Sequence, residues 1–192
     1  EAASPMSLTD TRRVLEPAFY ATTELPDHIH IFGRSFTYDF NCAEDWHTDI
    51  FSGKRFPLSF SKGIDIRRDP GLSAKAVWEI NRMQFLLPIA IHYSQTKDPQ
   101  ILQKFVHIIR SWKQANPYLR GVNWYSNIEV NLRLINWFLC WEAMDVDALC
   151  RRDEGFCSFV HNDWLPLIHL HCQYSYENPS RFSSANNHLI AE

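Results

Sequence analysis

The sequence predicts an all-α protein: a ring or stack of helical hairpins preceded by a short extended arm. Three observations carry this reading. After Pro70, apolar residues recur every three to four positions over most of the remaining chain. Two helix starts carry full signals, Asp98-Pro99 and Ser126 with Glu129 three residues later. The connections are short enough to make neighbouring helices antiparallel, and no repeat of fixed length recurs, which disfavours a regular solenoid. At 192 residues the chain is one domain of ordinary size.

The elements follow in order. Residues 1–35 mix polar and apolar side chains without a period and read as loop, with a short helix around Thr9 to Glu16. From Ser35 to Pro70 aromatic and β-branched residues are punctuated by Ser52-Gly53, Pro57 and Gly63. This pattern suggests extended segments at Phe36 to Phe40 and Ile64 to Arg67. Residues 1–70 are therefore read as a wrapping arm and 71–192 as the helical part. The first helix runs from Ala74 to Thr96 with a kink at Pro88, the second from Asp98 to Ala115, where Asn116-Pro117 ends it. The third runs from Ser126 to about Met144 and opens on a capping box of Ser126 and Glu129. The fourth runs from Glu154 to about Tyr176.

Composition narrows the function classes. The net charge is −3, and basic residues are scattered as pairs such as Arg67-Arg68 and Arg151-Arg152, so no broad field exists for coating nucleic acid. No apolar run approaches the roughly 18 residues of a membrane-spanning helix. Seven Trp, seven Tyr and thirteen Phe stand against only six Gly. Such rings build a large core, and a minority of them can stack on the apolar faces of sugars in a cleft. The five Cys are odd in number and none forms a C-x-x-C pair, which argues against a disulfide framework and a zinc ribbon and for buried thiols. Residue 1 is Glu and no leader precedes it, while Asn186 to Glu192 reads as a helix just starting, so a fragment of a longer chain is expected.

Polar residues within the apolar helices are the candidate chemistry. On the third helix Glu129, Arg133 and Asn136 fall at i, i+4 and i+7, in one line beside Trp137. Glu79 and Arg82 form a smaller pair on the first helix. Two readings stand together: interhelical ion pairs that fix packing register, and a polar cleft wall in which an Arg fork grips a sugar carboxylate. At the end of the chain Asn186, Asn187 and His188 sit at the mouth of a helix, a position that favours anions, although an N-capping Asn with an incidental His explains the same residues. Neither His28-x-His30 nor His169-x-His171 has metal-ligand spacing, so no metal is expected. No phosphate-binding glycine loop, nucleophile elbow or H-E-x-x-H pair is present.

Taken in order, several segments resemble the heparinase II/III-like polysaccharide lyases, which include heparin, heparan sulfate and alginate lyases. They are Asp45-Trp46-His47-x-Asp49 with Ser52-Gly53 and Phe56-Pro57, Trp78-Glu79-x-Asn81-Arg82-x-Gln84, Asn116-Pro117, Asn123-Trp124 through Glu129, Arg133 and Asn136-Trp137, and the terminal Asn186-Asn187-His188. The resemblance implies an incomplete (α/α) toroid, of which this chain covers the front, followed by a β-sandwich domain that is missing here. It implies β-elimination across a uronic acid, with no cofactor in this portion and a uronic-acid polysaccharide as partner. Asn187 and His188 match the family's amide and imidazole pair that contacts the uronate carboxylate, with Asn186 a neighbour. Glu79, Arg82, Glu129 and Arg133 match toroid motifs that support the cleft and contact sugar, with Trp124 and Tyr125 beside them. The family's catalytic Tyr and second His lie beyond residue 192, so Tyr125, Tyr174 and Tyr176 are read as packing or cleft wall, and this portion alone should turn over little or no substrate. The family is usually exported, which implies a periplasmic or secreted protein. Two alternatives remain. One is a helical binding or scaffold domain without chemistry. The other is an inverting glycosidase, which needs two carboxylates roughly 6.5–9.5 Å apart; Glu79 and Glu129 are the candidates, each with an Arg one turn away.

Overall fold

The computed structural model describes residues 29–36 and 46–179, and within them the protein is all-α with one small hairpin. Strands β1 (Ile29–Ile31) and β2 (Arg34–Phe36) pair antiparallel, Ile29 opposite Phe36 and Ile31 opposite Arg34. Phe32 and Gly33 between them have φ of 48° and 75°. Positive φ at both central residues is what a two-residue hairpin turn requires to match strand twist. This hairpin replaces the loop expected for residues up to 35. The expected strand at Ile64 to Arg67 does not form, and residues 37–40 of the other lie outside the described residues.

Seven α-helices follow: α1 (Ala74–Asn81), α2 (Leu86–Thr96), α3 (Pro99–Ala115), α4 (Asn127–Met144), α5 (Val146–Cys150), α6 (Glu154–Phe159) and α7 (Leu165–Glu177). Helices α2 and α3 pack as a hairpin, α2 lies along α4, and α4 along α7. The α2–α3 turn is made by Lys97 in the left-handed conformation, φ 57°, after which Asp98 accepts from Gln100 N at 2.8 Å and Pro99 fills the first helical position.

The first helix breaks earlier than expected. Pro88 sits within the first turn of α2, where its missing N–H would be unpaired anyway, and it causes no kink. The break is at Met83, held at φ 59° between α1 and α2. The expected capping box at Ser126 is also not formed: the Ser126 hydroxyl makes no cap hydrogen bond, and the Glu129 carboxylate is taken by Arg82. The fourth helix is close to expectation but carries a π turn at Val160–Trp164. Pro166 lacks the N–H that the Asn162 carbonyl would receive in an α-helix, and Lys113 Nζ donates to that carbonyl instead at 3.1 Å.

The aromatic excess is mainly core. Trp46, Trp112, Trp124, Trp137 and Trp164 are buried, leaving only Trp78 and Trp141 partly exposed. The segment from Trp46 to Ser73 is stitched to the helices rather than standing apart from them. Trp46 enters the main core, Phe56 and Ile64 form a second cluster with Ala74, Val77 and Val122, and Phe60 bridges Arg120. Asp49 organises this segment: its carboxylate accepts from Phe51 N, Ser52 Oγ and Ser73 N, each at 2.9 Å. These bonds favour the charged form and hold its carboxyl below the usual range, against the opposing pull of burial.

Gly121 is required where it stands. Its φ of 78° with ψ of 170° belongs to a region only glycine enters readily, and a Cβ there would lie 2.5 Å from the ring carbon Cε1 of buried His47. That ring cannot swing away, because its Nε2 is bonded to the Ala115 carbonyl at 3.0 Å. Gly121→Ala is expected to destabilise the protein by about 2–4 kcal/mol in urea unfolding. Gly63→Ala, where a Cβ meets nothing within 4 Å, serves as the near-neutral control. Equal midpoints for the two would refute the clash.

Candidate functional site

The polar line on α4 is a latch on the break between α1 and α2. Glu129 accepts from Arg82 Nε at 2.7 Å and NH2 at 3.0 Å. Arg133 Nε donates to the Asn81 carbonyl at 2.6 Å, Asn136 Nδ2 to the Arg82 carbonyl at 2.8 Å, and Trp137 Nε1 to Met83 Sδ at 3.1 Å. Four side chains on one face of α4 therefore grip three consecutive residues, 81–83. The end of α1 would otherwise present carbonyls without helical donors. The left-handed Met83 persists because its neighbours are held from across the core.

Arg82 also takes Glu79 Oε2 on NH1 at 2.6 Å, so two carboxylates share one guanidinium. The Glu129 hydrogen bond, more than the neighbouring charges, raises the Arg82 pKa above its ordinary value. Each Arg82 nitrogen is committed, which leaves no fork open to a sugar carboxylate, and neither Glu79 nor Glu129 is free of a cation to act as a general acid. Glu79 borders a cavity of about 240 Å3 with Ile29, His30, Ile31, Gln84, Phe85 and Pro88, under the hairpin.

Behind this latch lies a buried cation. Arg133 is fully enclosed, its NH1 bonded to His171 Nε2 at 2.8 Å, with NH2 3.4 Å from the Asn123 carbonyl and its guanidinium 4.3 Å from the Trp112 ring centre. Burial pushes Arg133 down to about 9, partly offset by Glu129, so it remains charged at neutral pH. His171 Nδ1 faces the Leu167 carbonyl at 2.8 Å and must donate to it, which leaves Nε2 as the acceptor for the Arg133 N–H. His171 is thus neutral, and burial followed by Arg133 repulsion holds its pKa well below the ordinary value. Nothing local in the sequence marks His171, since its spacing from His169 speaks only to metal binding. Its partner is 38 residues away. Trp124, expected beside substrate, is also buried, its Nε1 on the Asn116 carbonyl at 3.2 Å.

An aromatic surface with an adjacent cation is the remaining feature. Trp78 and Tyr125 are half-buried and stack at 6.2 Å with 26° between ring planes. Trp78 Nε1 is anchored on the Val122 carbonyl at 2.9 Å. Lys62 donates to the Tyr125 carbonyl at 2.6 Å and lies 5.7 Å and 5.3 Å from the Tyr125 and Tyr174 rings. Partial burial against these rings lowers the Lys62 pKa. Trp78 stood in the quoted motifs without a role, and Lys62 carried no local signal, because a loop 63 residues away in sequence delivers it. Tyr174 is interior, donating to the Trp124 carbonyl at 2.6 Å, and burial raises its pKa; Tyr176 is exposed. Asn186, Asn187 and His188 lie outside the described residues. Among the described residues no group of three or more His, Cys, Asp or Glu converges as a metal site.

The family described as Heparinase II/III N-terminus matches residues 36–192 of the chain. The chain belongs to the heparinase II/III family. No curated protein matches it significantly, and no solved structure does. The heparinase II/III-like proteins are polysaccharide lyases, and the motifs that carry the likeness have visible physical tasks here. In this heparinase II/III N-terminal portion, Asn81 Nδ2 donates to the Trp46 and Val77 carbonyls and its Oδ1 accepts from Trp112 Nε1 at 2.7 Å. Asn123 Nδ2 reaches the Trp46 carbonyl and Asn116 Oδ1, both at 2.8 Å, and Asn116 Nδ2 reaches the Trp112 carbonyl. These amides tie the loop at residue 46 to α1, to the end of α3 and to the turn at residues 122–124. The motif residues Asn81, Asn116 and Asn123 thus spend their side chains on hydrogen bonds that hold the fold together.

Proposed function

We propose that this chain is the front portion of a lyase that cleaves uronic-acid polysaccharide, of the heparin or heparan sulfate type or alginate, by β-elimination. The family match over residues 36–192 carries the reading. In such a reaction a base removes the C5 proton, the electron pair forms the C4–C5 double bond, and the C4–O bond breaks as an acid protonates the leaving oxygen. The proton is removable because charge building on the uronate carboxylate is neutralised. By resemblance that task falls to Asn187 and His188, with Asn186 beside them. The proton-transferring Tyr and second His are assigned by resemblance to the chain beyond residue 192, as is the β-sandwich domain.

Trp78 and Tyr125 supply apolar faces for sugar rings, and Lys62 supplies charge for an anionic polymer. Glu79, Arg82, Glu129 and Arg133 act through the latch that holds α1, and with it Trp78, in place. A polymer of this kind is met outside the cytoplasm, which fits a periplasmic or secreted protein.

The test uses the complete polypeptide on a panel of heparin, heparan sulfate and alginate, following ultraviolet absorbance of the unsaturated product. Rising absorbance on one polymer is expected and names the substrate. New reducing ends without absorbance would mean hydrolysis, and neither signal would move the protein to a binding role; both overturn the proposal.

A further inference from the structure

The tip of the β1–β2 hairpin carries an exposed aromatic stack beside a cation. Phe32 is 61% exposed and has φ 48°, a left-handed conformation that a bulky side chain adopts only at a cost and that Asn would fill more easily before Gly33. Strain of this kind persists where the surroundings hold it, and it gathers where a side chain is presented to a ligand. The Phe32 ring lies nearly parallel to that of Phe51, with 6.0 Å between centres and 22° between planes, and Phe36 meets Phe51 in a T-shaped contact at 5.4 Å. The Arg34 guanidinium sits over Phe51, 5.4 Å from the ring centre. Arg34 is exposed, and among the described residues no carboxylate pairs with it.

The stack is anchored from below. Ile31 enters the main core, with Ile29, Phe36 and Ile50 packed against it. Phe51 N is held by one oxygen of buried Asp49 at 2.9 Å, and the other oxygen takes the N–H of Ser73, the residue that caps α1. The rings are therefore fixed to the helix that carries Trp78, although they share no residue with the Trp78–Tyr125 stack.

We propose that Phe32, Phe51 and Arg34 form a second sugar-binding platform, which seats one anionic unit of the polymer. This rests on the uronic-acid polysaccharide reading above. The face of Phe32 turned away from Phe51 takes the apolar side of a pyranose, and Arg34 takes the ring's anionic substituent on its planar fork. Charge decides the occupant: a stack of apolar rings alone would suit any hydrophobic partner, whereas an exposed guanidinium without a carboxylate beside those rings suits a sugar that carries negative charge. A polymer held at two platforms dissociates only when both let go, so loss of one weakens binding without abolishing it.

The test reads binding and needs no turnover. The complete polypeptide is run through native gels cast with alginate, heparin or desulfated heparin, with urea unfolding measured alongside. Phe32→Asn is expected to lose about 3–10-fold in affinity while unfolding at no lower a urea concentration than wild type, since Asn suits the left-handed turn before Gly33. Arg34→Gln is expected to lose about 2–5-fold, and the loss should shrink as salt rises. A loss equal on heparin and its desulfated form assigns the carboxylate to Arg34, and one confined to heparin assigns the sulfate; either supports the platform. Phe138→Ala, which removes an exposed ring on α4, is expected to bind as wild type does. Full retention of binding by both hairpin variants would overturn the platform and leave the lyase reading standing, whereas a wild type that no polymer retards would overturn both. A Phe32→Asn variant that binds normally but turns a dimer into a monomer on sedimentation would assign this face to a second copy of the chain, which also overturns the proposal.

Discussion

Arg133→Ala is expected to cost about 3–5 kcal/mol of stability, a large share of what a domain of this size possesses. The Asn81 carbonyl and His171 Nε2 would lose a charged donor at 2.6 Å and 2.8 Å in a site without exposed surface, and a cavity would open under the Trp112 ring. Unmade bonds of that kind cost more than the same bonds contribute when made. Two further variants separate the causes. Arg133→Met removes the buried charge while filling the space, and is expected to lose less than Ala because no cavity opens under the Trp112 ring. Arg133→Lys keeps the charge but replaces a planar fork with a point donor, and is expected to fall between wild type and Ala. Urea unfolding at neutral pH measures all three, and an Ala variant within about 1 kcal/mol of wild type would refute the latch as a source of stability.

The second large effect concerns turnover. If Asn187 and His188 neutralise the uronate, His188→Ala and Asn187→Ala in the complete polypeptide are each expected to lower kcat by about 10²–10³-fold, the usual loss when one preorganised donor to a developing oxyanion is removed. KM should move much less, because the polymer is held along its length and the missing interaction strengthens only as charge develops. An equal loss confined to KM would reassign both residues to ground-state binding. Arg82→Ala offers a contrast. It strips the latch of its cation, so its signature is a lowered unfolding midpoint, with any activity restored in step when conditions favour the fold.

The helices were legible where local chemistry fixes them. Asp98, Pro99 and the apolar stripe through Phe105, Ile108, Ile109 and Trp112 describe α3 as it is found, and all four of those stripe residues are buried. The break at Met83 was not legible, because nothing near it in sequence forces a left-handed residue. Side chains more than 45 positions away hold it, and Pro88 is a false signal. Ser126 and Glu129 show the same conflict in reverse: the local capping rule was satisfied in letters, but Arg82 offered Glu129 a charge-assisted bond that a neutral backbone N–H could not match. For the site, the sequence found the line of Glu129, Arg133 and Asn136 and paired Glu79 with Arg82 correctly. It could not show that Arg133 and Trp124 lie inside, since a polar residue on an apolar helix looks the same whether it faces a cleft or a buried histidine.

The chamber around His171 has an optical consequence. The imidazole lies 4.5 Å from the ring of Trp124, 4.7 Å from Trp137 and 5.3 Å from Trp112, all three indoles being buried. Three of the protein's seven indoles therefore lie against one neutral imidazole and one guanidinium that is charged at neutral pH. Those indoles read the state of the latch without any label: their spectrum is blue while the chamber is dry, and it shifts red when water enters. Because protonated imidazole quenches indole, acid would darken the same rings as His171 takes up its proton, so one cuvette follows both the opening of the core and the charge at its centre.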